Sequence, residues 1–391
     1  MKAVVVGGGI AGLSAAIALR RVGVDAVVFE QARRLEEAGA GLTLAPNAME
    51  AAERLGLGDA IGQRGERADR IRVPNARGRI LFEIDLARDG RKAFGIHRAD
   101  LQRLLIEALP PDAIRLGHRC TGFEQGHEGV RAFFEDGCEE FGDVLVGADG
   151  IHSAVRTQLH GPAKLRYGNH AGWRAAVALE HELLTGTWSE TWGRGARVGI
   201  VPIGAGCSYL YVAEDVPEGA PPPANPEEEF ARRFAGWHEP IPTALAAAAP
   251  GSFSRTFIYD LRPLRRWTSG RVTLIGEAAH PMRPDIGMGA AVALEDAVVM
   301  GNAFRVADEP AEALQRYEAC RRRRAAFVVR VSRQAGRFAQ CSSAIGCRLR
   351  DAIAAATPAS LTERQYRRQI RWDPDCPRDS MQRIDSSGSA T

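Results

Sequence analysis

The sequence predicts an α/β protein with three parts: a Rossmann-like nucleotide-binding domain built from separate chain segments, a mixed β-sheet domain and C-terminal helices. Three observations support this prediction. The chain begins with a strand, a glycine turn, a helix and a second strand; residues 165–265 contain short alternating runs typical of an antiparallel sheet; and residues 271–304 return to a strand, glycines and a long helix. The 391 residues suffice for two or three domains, at roughly 100–200 residues each.

The first element group lies at the N-terminus. Residues 2–6 are a β-branched run, residues 10–23 have helical apolar spacing that ends at a glycine, and residues 25–30 are a second β-branched run. Strand, helix and strand within about 30 residues are typical of a βαβ unit, so we expect the first two strands to be parallel neighbours.

The turn inside this unit reads G-x-G-x-x-G directly after a strand and directly before a helix. Gly7 permits the tight turn, Gly9 lets a pyrophosphate approach the backbone, and Gly12 lets the helix pack against the strand. Glu30 ends the second strand, where a carboxylate can accept both hydroxyls of an adenosine ribose. The pattern therefore predicts a dinucleotide cofactor, with its phosphates at the helix N-terminus.

The remaining elements follow the same reasoning. We predict helices over 97–109, 227–236 and 289–304, and strands over 143–150 and from 271 onward. Residues 321–371 are helical in pattern and hold 13 arginines against Asp351 and Glu363, which predicts solvated helix faces. Residues 372–391 are polar, and we expect a flexible tail.

Composition excludes several classes of protein. The chain is 45% hydrophobic and 25% charged, which is typical of a globular protein, and its net charge of +3 does not demand nucleic acid. No cysteine and histidine spacing resembles a metal site, so no metal is expected. No apolar run approaches 18 residues, so no membrane span is expected either, and we predict a cytoplasmic protein.

Three segments carry a resemblance to a known family: DVLVGADGIHSAVR (143–156), IGEAAHPMRPDIGMGAAVALED (275–296) and EAGAGLTLAPNAMEAAERLGL (37–57). In order and spacing they resemble single-component, class A flavin-dependent monooxygenases of the para-hydroxybenzoate hydroxylase fold, over about residues 1–350. The resemblance implies an FAD-binding domain over 1–70, 98–165 and 266–320, and a substrate-binding sheet domain over 71–97 and 166–265. C-terminal helices over 321–371 complete the fold.

The resemblance also implies residue roles around FAD. Glu30 is expected at the adenosine ribose, Arg98 at the pyrophosphate or ribityl chain, and the backbone of Cys120 at the adenine. The full set of implied cofactor residues is Gly7, Gly9, Ala11, Gly12, Glu30, Gln31, Thr43, Arg98, Cys120, Asp149, Glu277, Gly287 and Gly289. Three positions depart from the family pattern, which usually has Asp, Gln and Asn where this chain has Glu277, Met288 and Ala291.

On the substrate side, Arg197, Tyr209 and Asp285 fall where the FAD-dependent urate hydroxylases of this family have an Arg, a Tyr and an Asp. The resemblance implies that Arg197 binds an anionic substrate and that Tyr209 orients the flavin or the substrate. Gly172 stands where those enzymes have a substrate-binding Asn, so urate itself is not the expected substrate.

The implied reaction is hydroxylation of a small aromatic or heteroaromatic compound. NADH or NADPH reduces FAD, O2 adds at flavin C4a, and the resulting hydroperoxide transfers one oxygen atom. No second G-x-G-x-x-G follows a strand, so the nicotinamide nucleotide is expected to bind transiently. Two alternatives stay open at this point: an FAD-dependent epoxidase or reductase of a lipid or isoprenoid, and a non-catalytic flavoprotein. A monomer and a homodimer fit equally well.

Overall fold

The computed structural model describes residues 1–34 and 40–375, so the first residues of the 37–57 segment and the tail beyond 375 lie outside it. The strands of this part of the chain are β1 (Lys2–Val6), β2 (Asp25–Glu30), β3 (Gly41–Leu44), β4 (Glu66–Arg67), β5 (Arg70–Pro74), β6 (Ile80–Asp85), β7 (Phe94–His97), β8 (Ile114–Leu116), β9 (Cys120–Gln125), β10 (Val130–Phe134), β11 (Glu139–Gly142), β12 (Val144–Gly147), β13 (Arg166–Ala178), β14 (Thr187–Trp192), β15 (Ala196–Gly204), β16 (Cys207–Asp215), β17 (Ser254–Asp260) and β18 (Val272–Leu274). Its α-helices are α1 (Ile10–Arg20), α2 (Pro46–Arg54), α3 (Gly58–Arg64), α4 (Arg98–Glu107), α5 (Ala154–His160), α6 (Pro226–Phe234), α7 (Ile241–Ala246), α8 (Gly289–Val306), α9 (Pro310–Ala339), α10 (Ala344–Ala356) and α11 (Ala359–Ile370).

A parallel sheet in the order β18-β12-β1-β2-β8 forms the centre of the nucleotide-binding domain. Strands β1, β12 and β18 are short apolar runs rich in valine and buried on both faces, as expected when helices cover both sides of a parallel sheet. Helices α1 and α8 pack together beside this sheet. β1 and β2 are parallel neighbours, as the βαβ pattern predicts.

The second sheet has seven strands in the order β17-β13-β16-β15-β14-β5-β6. All its pairs are antiparallel except β14 with β5. One face packs Trp173, Val198 and Leu210 against Phe230 of α6 and Leu245 of α7. Because side chains alternate along a strand, the neighbouring positions point to the opposite face, toward the nucleotide-binding domain.

Strands β3 and β7 lie directly on the seven-stranded sheet. A Cβ at Gly41 would overlap the side chain of Tyr209, and one at Gly95 would overlap the carbonyl oxygen of Pro202. These glycines allow the backbones of β3 and β7 to approach the sheet closely. The C-terminal helices complete the contact, with α10 and α11 packed on β6.

The α/β class with a parallel sheet, a mixed sheet and C-terminal helices is confirmed. The division into domain segments stays a prediction. The expectation that the arginines of 321–371 are solvated is wrong for Arg321 and Arg350, which are 1% and 3% exposed. Arg321 binds two carboxylates of α8, and Arg350 donates to the carbonyls of Gly193 and Ala339.

The start of the expected flexible tail is also packed. Trp372 donates a hydrogen bond of 2.9 Å from its indole nitrogen to Glu50, and Asn302 donates to the carbonyl of Pro374 at 2.8 Å. The rest of that expectation, from residue 376, lies outside the described residues. Within the described ranges, no helix is both long enough and apolar enough to cross a bilayer.

Candidate active site

The glycine turn between β1 and α1 leaves room for a ligand at one position. A Cβ at Gly7 would overlap the carbonyl oxygen of Ala148, and one at Gly12 would overlap that of Gly7, so both glycines serve backbone packing. A Cβ at Gly9 would meet nothing within 4 Å. Gly9 is the N-cap of α1 and provides no side-chain cap, so the first backbone N–H groups of α1 face this open space. This arrangement fits a phosphate group.

Two carboxylates flank this turn. Glu30 accepts hydrogen bonds from the backbone N–H of Gly8 at 2.6 Å and of Ala32 at 2.8 Å, which fixes its orientation beside the turn. Asp149 uses Oδ2 to accept from Ala154 at 2.7 Å, at the N-terminus of α5. The other oxygen of Asp149 is buried and has no partner among the described residues, so it can accept a hydrogen bond from a ligand.

A second open helix N-terminus lies at α8. Gly287 has φ of 63°, and a Cβ there would lie 2.7 Å from the hydroxyl oxygen of Thr43 on β3. A Cβ at Gly289 would meet nothing within 4 Å, and the N-cap Met288 supplies no side-chain cap. The backbone N–H groups here can therefore bind an electronegative ring edge, beside Thr43.

Two of the three departures from the family motif have buried side chains. Met288 is 2% exposed and Ala291 is 0% exposed, and both belong to the hydrophobic core. Glu277 lies in the turn after β18 and is exposed, so its carboxylate is free to reach a ligand. The three substitutions therefore leave the glycine-lined space open.

Four other cofactor residues expected from the sequence lie around the same region. Ala11 is in the first turn of α1, where its Cβ lies next to Gly276, and Gln31 is exposed just after β2. Arg98 is exposed at the start of α4, and its backbone N–H donates to Ala40 at 3.0 Å. Burial raises the pKa of the Cys120 thiol to about 11, so this thiol is protonated at neutral pH.

Two open helix N-termini flanked by oriented carboxylates are the features that a long, phosphate-containing dinucleotide requires. The described residues therefore fit FAD: Gly9 and the N-terminus of α1 would hold its pyrophosphate, Glu30 its adenosine ribose, and the N-terminus of α8 its flavin ring. No group of three or more His, Cys, Asp or Glu side chains in the described part of the chain has a metal-binding arrangement.

We call the open N-terminus of α8, with Gly287, Gly289 and Thr43, the flavin cradle. Arg197 is buried between the seven-stranded sheet and this flavin cradle. It donates to Asp285 at 2.5 Å, to Gln340 at 2.8 Å and to Glu190 at 3.4 Å. Burial opposes its charged form, but Glu190 and Asp285 outweigh that effect and raise the pKa of Arg197 above its ordinary value. Protein groups thus already hold this guanidinium on several sides, which leaves it little capacity to bind a substrate anion.

Asp285 lies two residues before Gly287, so it joins the flavin cradle to the sheet. Its side chain is fully buried, Oδ1 faces Arg197, and Oδ2 has no hydrogen-bond partner among the described residues. A Cβ at Gly336 of α9 would overlap this carboxylate, so the glycine leaves the space that Asp285 occupies.

His170 completes this cluster. Its Nδ1 lies 3.1 Å from the carbonyl oxygen of Gly168, which requires the proton on Nδ1, and its Nε2 lies 3.6 Å from Asp285 Oδ1 without a hydrogen bond. Burial lowers the pKa of His170, although the charge of Asp285 acts in the opposite direction. Two proton acceptors thus face each other in the resting protein.

Tyr209 and Tyr211 share the face of the sheet that carries Arg197. A Cβ at Gly199 would overlap the ring of Tyr211, whose hydroxyl donates to Glu190 at 2.5 Å. The charge of Arg174 acts on the Tyr209 hydroxyl and partly offsets the effect of burial on the pKa of that tyrosine. Burial raises the pKa of both tyrosines, so both hydroxyls are protonated at neutral pH.

A cleft of about 420 Å³ borders the same cluster, since Gly336 and Gln340 line it. Three arginines, Arg283, Arg333 and Arg337, line it together with a single carboxylate, that of Asp215. Asp260 pairs with Arg283 and Arg333 and offsets part of this positive charge.

The structure brings Arg197 and Asp285 into direct contact and places Tyr209 on the same face of the sheet. The sequence analysis missed Arg174, His170, Glu190 and Gln340. Alternation along β13 could have indicated His170 and Arg174. Both share one face of the strand with Gly172, which the sequence analysis had already singled out. Gln340 lies 143 residues from Arg197, and no local pattern points to it.

Comparison with known proteins agrees with this geometry. Residues 1–332 match the model of the FAD binding domain family. Aurachin C monooxygenase/isomerase of Stigmatella aurantiaca is 35% identical over 96% of this chain and 99% of its own length. The 3-amino-4-hydroxybenzoate 2-monooxygenase PtnB3 of Streptomyces platensis is 39% identical over 89% of this chain and 90% of its own.

A solved structure matches nearly the whole fold. Klebsiella pneumoniae HpxO, crystallised with FAD and uric acid, superimposes with a TM-score of 0.88 at 32% identity, covering 95% of this chain and 96% of that one. The family match exceeds half of the chain, and several named relatives are FAD-dependent hydroxylases or monooxygenases. This chain is therefore an FAD-binding oxidoreductase, and it belongs to the FAD binding domain family of flavin-dependent monooxygenases.

Proposed function

We propose that this protein hydroxylates a small aromatic or heteroaromatic ring with NAD(P)H and O2, and that Arg197, Tyr209 and Asp285 act on the substrate side. One observation supports this proposal most strongly: Asp285, two residues from the flavin cradle, has a buried carboxylate oxygen without a partner in the described part of the chain. A buried, unpartnered acceptor at such a place is typical of a group that contacts a ligand.

FAD, once bound and reduced by NADH or NADPH, supplies the activated oxygen atom. The protein's part is to hold the ring and to remove its hydroxyl proton, because a deprotonated ring is richer in electrons. Asp285 Oδ2 is the acceptor of that proton, and His170 Nε2 lies beside the other oxygen of the same carboxylate, Oδ1. Tyr209, with a protonated hydroxyl, donates a hydrogen bond to the substrate.

Arg197 has a different role in this proposal from the one that the sequence suggested. Its guanidinium already binds Asp285, Glu190 and Gln340, so it holds the Asp285 side chain in place rather than pairing with a substrate anion. The earlier hypothesis requires the guanidinium to leave these partners, which costs several kcal/mol for a buried charge pair.

The other partners remain predictions. We propose NADH or NADPH as the reductant and the cytoplasm as the location of the protein. Ile345, Leu349 and Ile353 lie on one face of α10 and are 79%, 60% and 48% exposed, which favours a homodimer over a monomer. Light scattering on the purified protein distinguishes the two states.

The first experiment tests the cofactor site. Gly9→Val places a side chain in the open space that fits the pyrophosphate, so we expect the variant to purify with less than about a tenth of the normal FAD content. Gly126→Val is the matched control, because its Cβ also meets nothing within 4 Å but lies in the turn between β9 and β10. Normal flavin in the Gly9 variant contradicts the assignment.

The second experiment tests the reaction. Phenols, hydroxybenzoates, pyridinols and purines are screened for stimulation of NAD(P)H oxidation, and products formed under ¹⁸O2 are identified by mass. We expect one oxygen atom from O2 in the product. A protein with full FAD content that no aromatic compound stimulates is not a ring hydroxylase.

A further inference from the structure

We propose that the cleft lined by Arg283, Arg333 and Arg337 is a second ligand site, which binds the phosphate group of a small phosphorylated compound. We call it the arginine-lined cleft. Its volume of about 420 Å³ is within the range of small-molecule sites, roughly 300–1,000 Å³. The inference goes beyond the proposed function and does not depend on it, because this cleft is separate from the flavin cradle.

Two segments of the chain supply the three arginines. Arg333 and Arg337 are one helical turn apart on α9, so their side chains lie on the same face of that helix. Arg283 belongs to the turn that leads into the flavin cradle, and Ser332 of α9 donates a hydrogen bond of 2.6 Å to its carbonyl oxygen. This bond holds the turn against α9, and the three guanidinium groups line one cleft.

The arginines share too few carboxylates to be neutralised. Asp260 lies within 4 Å of three guanidinium groups, those of Arg166, Arg283 and Arg333, so one negative charge faces three positive charges. This carboxylate offsets part of the positive charge and leaves an excess on the side of the cleft.

The outer part of the cleft adds one charge of each sign. Arg337 is exposed and forms no ion pair with any residue that the structure describes, whereas Asp215 supplies a carboxylate to the lining. The excess of positive charge is therefore retained across the whole cleft, which favours an anionic ligand.

Arg283 is buried and incompletely paired. It is 3% exposed, and its Nε lies 3.4 Å from Asp260 Oδ2 but has no hydrogen-bond partner among the described residues. Its Nη2 donates a long hydrogen bond of 3.5 Å to the carbonyl of Tyr167. Burial lowers the pKa of Arg283, and the charges of Arg333 and Arg337 act in the same direction, although the nearby carboxylates oppose them. An anion in the cleft would stabilise this guanidinium.

The donors suit a phosphate group better than a carboxylate. A guanidinium pairs with phosphate through two parallel N–H bonds, and a phosphate group offers at least three acceptor oxygens in different directions. Several arginines can therefore bind it at once, whereas a carboxylate has two oxygens in one plane. Asn169 and Ser342 also line the cleft and provide neutral polar groups for the rest of a phosphorylated compound.

The first test is isothermal titration calorimetry of the FAD-loaded protein with inorganic pyrophosphate, in about 0.15 M NaCl. Bound FAD occupies the phosphate site of the glycine turn, so that site does not contribute. We expect saturable binding of one equivalent with a Kd below about 1 mM, and acetate to bind at least about tenfold more weakly.

Two substitutions are expected to change this affinity in opposite directions. Arg337→Gln should weaken pyrophosphate binding by about fivefold or more, because it removes a charged donor. Asp215→Asn should tighten it by about threefold or more, because it removes a negative charge from the lining. Arg330→Gln is the matched control: Arg330 is exposed on the same helix but does not line the cleft, so the affinity should stay within about twofold.

The phosphate group has two possible sources, a free phosphorylated metabolite and the nicotinamide nucleotide. The rate of anaerobic flavin reduction at increasing NADH or NADPH distinguishes them. If the nucleotide occupies the cleft, pyrophosphate competes with it, and Arg337→Gln raises its apparent Kd by about the same factor as that of pyrophosphate. If a free metabolite does, both treatments leave the apparent Kd of the nucleotide within about twofold.

Three results overturn the inference: no saturable binding of pyrophosphate, equal weakening by Arg337→Gln and Arg330→Gln, or an Asp215→Asn variant that binds no more tightly than the wild type. None of these measurements involves an aromatic substrate. A failure here therefore leaves the proposed ring hydroxylation standing, and a failure to hydroxylate any ring leaves this site standing.

Discussion

Two buried arginines of this protein each bind two carboxylates, yet their surroundings differ. Arg321 of α9 donates to Glu295 and Asp296 of α8, and every oxygen of these two carboxylates has a partner. Arg197 donates to Glu190 and Asp285, but Asp285 Oδ2 has no partner among the described residues.

This difference in hydrogen bonding distinguishes the cluster around Arg321, which stabilises the fold, from the cluster around Arg197 and Asp285, which can still bind a ligand. Around Arg321, the additional donors are Asn47, His280 and Arg324, which come from three separate elements and bind the helices together. Around Asp285, His170 adds a nitrogen that is itself an acceptor and lies 3.6 Å from Oδ1. A satisfied cluster stabilises the fold, whereas an unsatisfied one keeps an acceptor ready for a ligand.

The largest expected effect breaks the structural cluster. Arg321→Met leaves Glu295 and Asp296 buried with fewer counter-charges, and we expect the apoprotein to lose about 3–5 kcal/mol of unfolding free energy. Arg197→Met is the matched comparison, and we expect a smaller loss because Glu190 is 18% exposed and keeps Trp192 and Tyr211 as donors. Urea unfolding of both variants measures the two losses of unfolding free energy. Equal losses would show that the two clusters contribute equally to stability.

The second effect breaks the reactive cluster. Asp285→Asn removes the proposed proton acceptor while keeping its shape, so substrate-stimulated turnover should fall by about 10²-fold or more, with FAD content unchanged. The yield of hydrogen peroxide per NAD(P)H should rise, because a protonated ring reacts poorly with the activated oxygen. Turnover within threefold of the wild type would remove Asp285 from the catalytic set.

The smallest effect concerns pH. Burial lowers the pKa of His170 in the folded protein, whereas the unfolded chain titrates near the ordinary value of about 6.5. Below that pH the unfolded state binds a proton that the folded state does not, so His170 lowers the stability as the pH falls from 7.5 toward the depressed folded pKa. His170→Gln should narrow the difference in unfolding free energy between pH 7.5 and 5.5. An unchanged difference would mean that His170 does not titrate in this range.

The sequence predicted correctly the features of the fold that neighbouring residues determine. The turn through Gly7, Gly9 and Gly12, with Glu30 at the end of β2, folds as the spacing predicts, because neighbouring residues determine a turn and its helix N-terminus. The fold class and the family followed from three such segments in the right order.

The partners of the reaction site could not be predicted this way. Arg197 binds residues that come from 7, 88 and 143 positions away, and only the folded register brings them together. A buried arginine cannot be distinguished from a surface one by its neighbours in a chain with 51 basic residues.

The glycine turn near the N-terminus has a consequence for how the protein matures in the cell. Gly7 lies against Ala148, and Ala11 lies against Gly276, so the turn is enclosed by segments synthesised much later. The flavin end depends on α8, which begins at Gly289. Domains whose segments are this far apart cannot complete their core until most of the chain has left the ribosome. Cofactor capture is therefore a late event, and a polypeptide truncated before α8 should emerge without FAD and depend on chaperones.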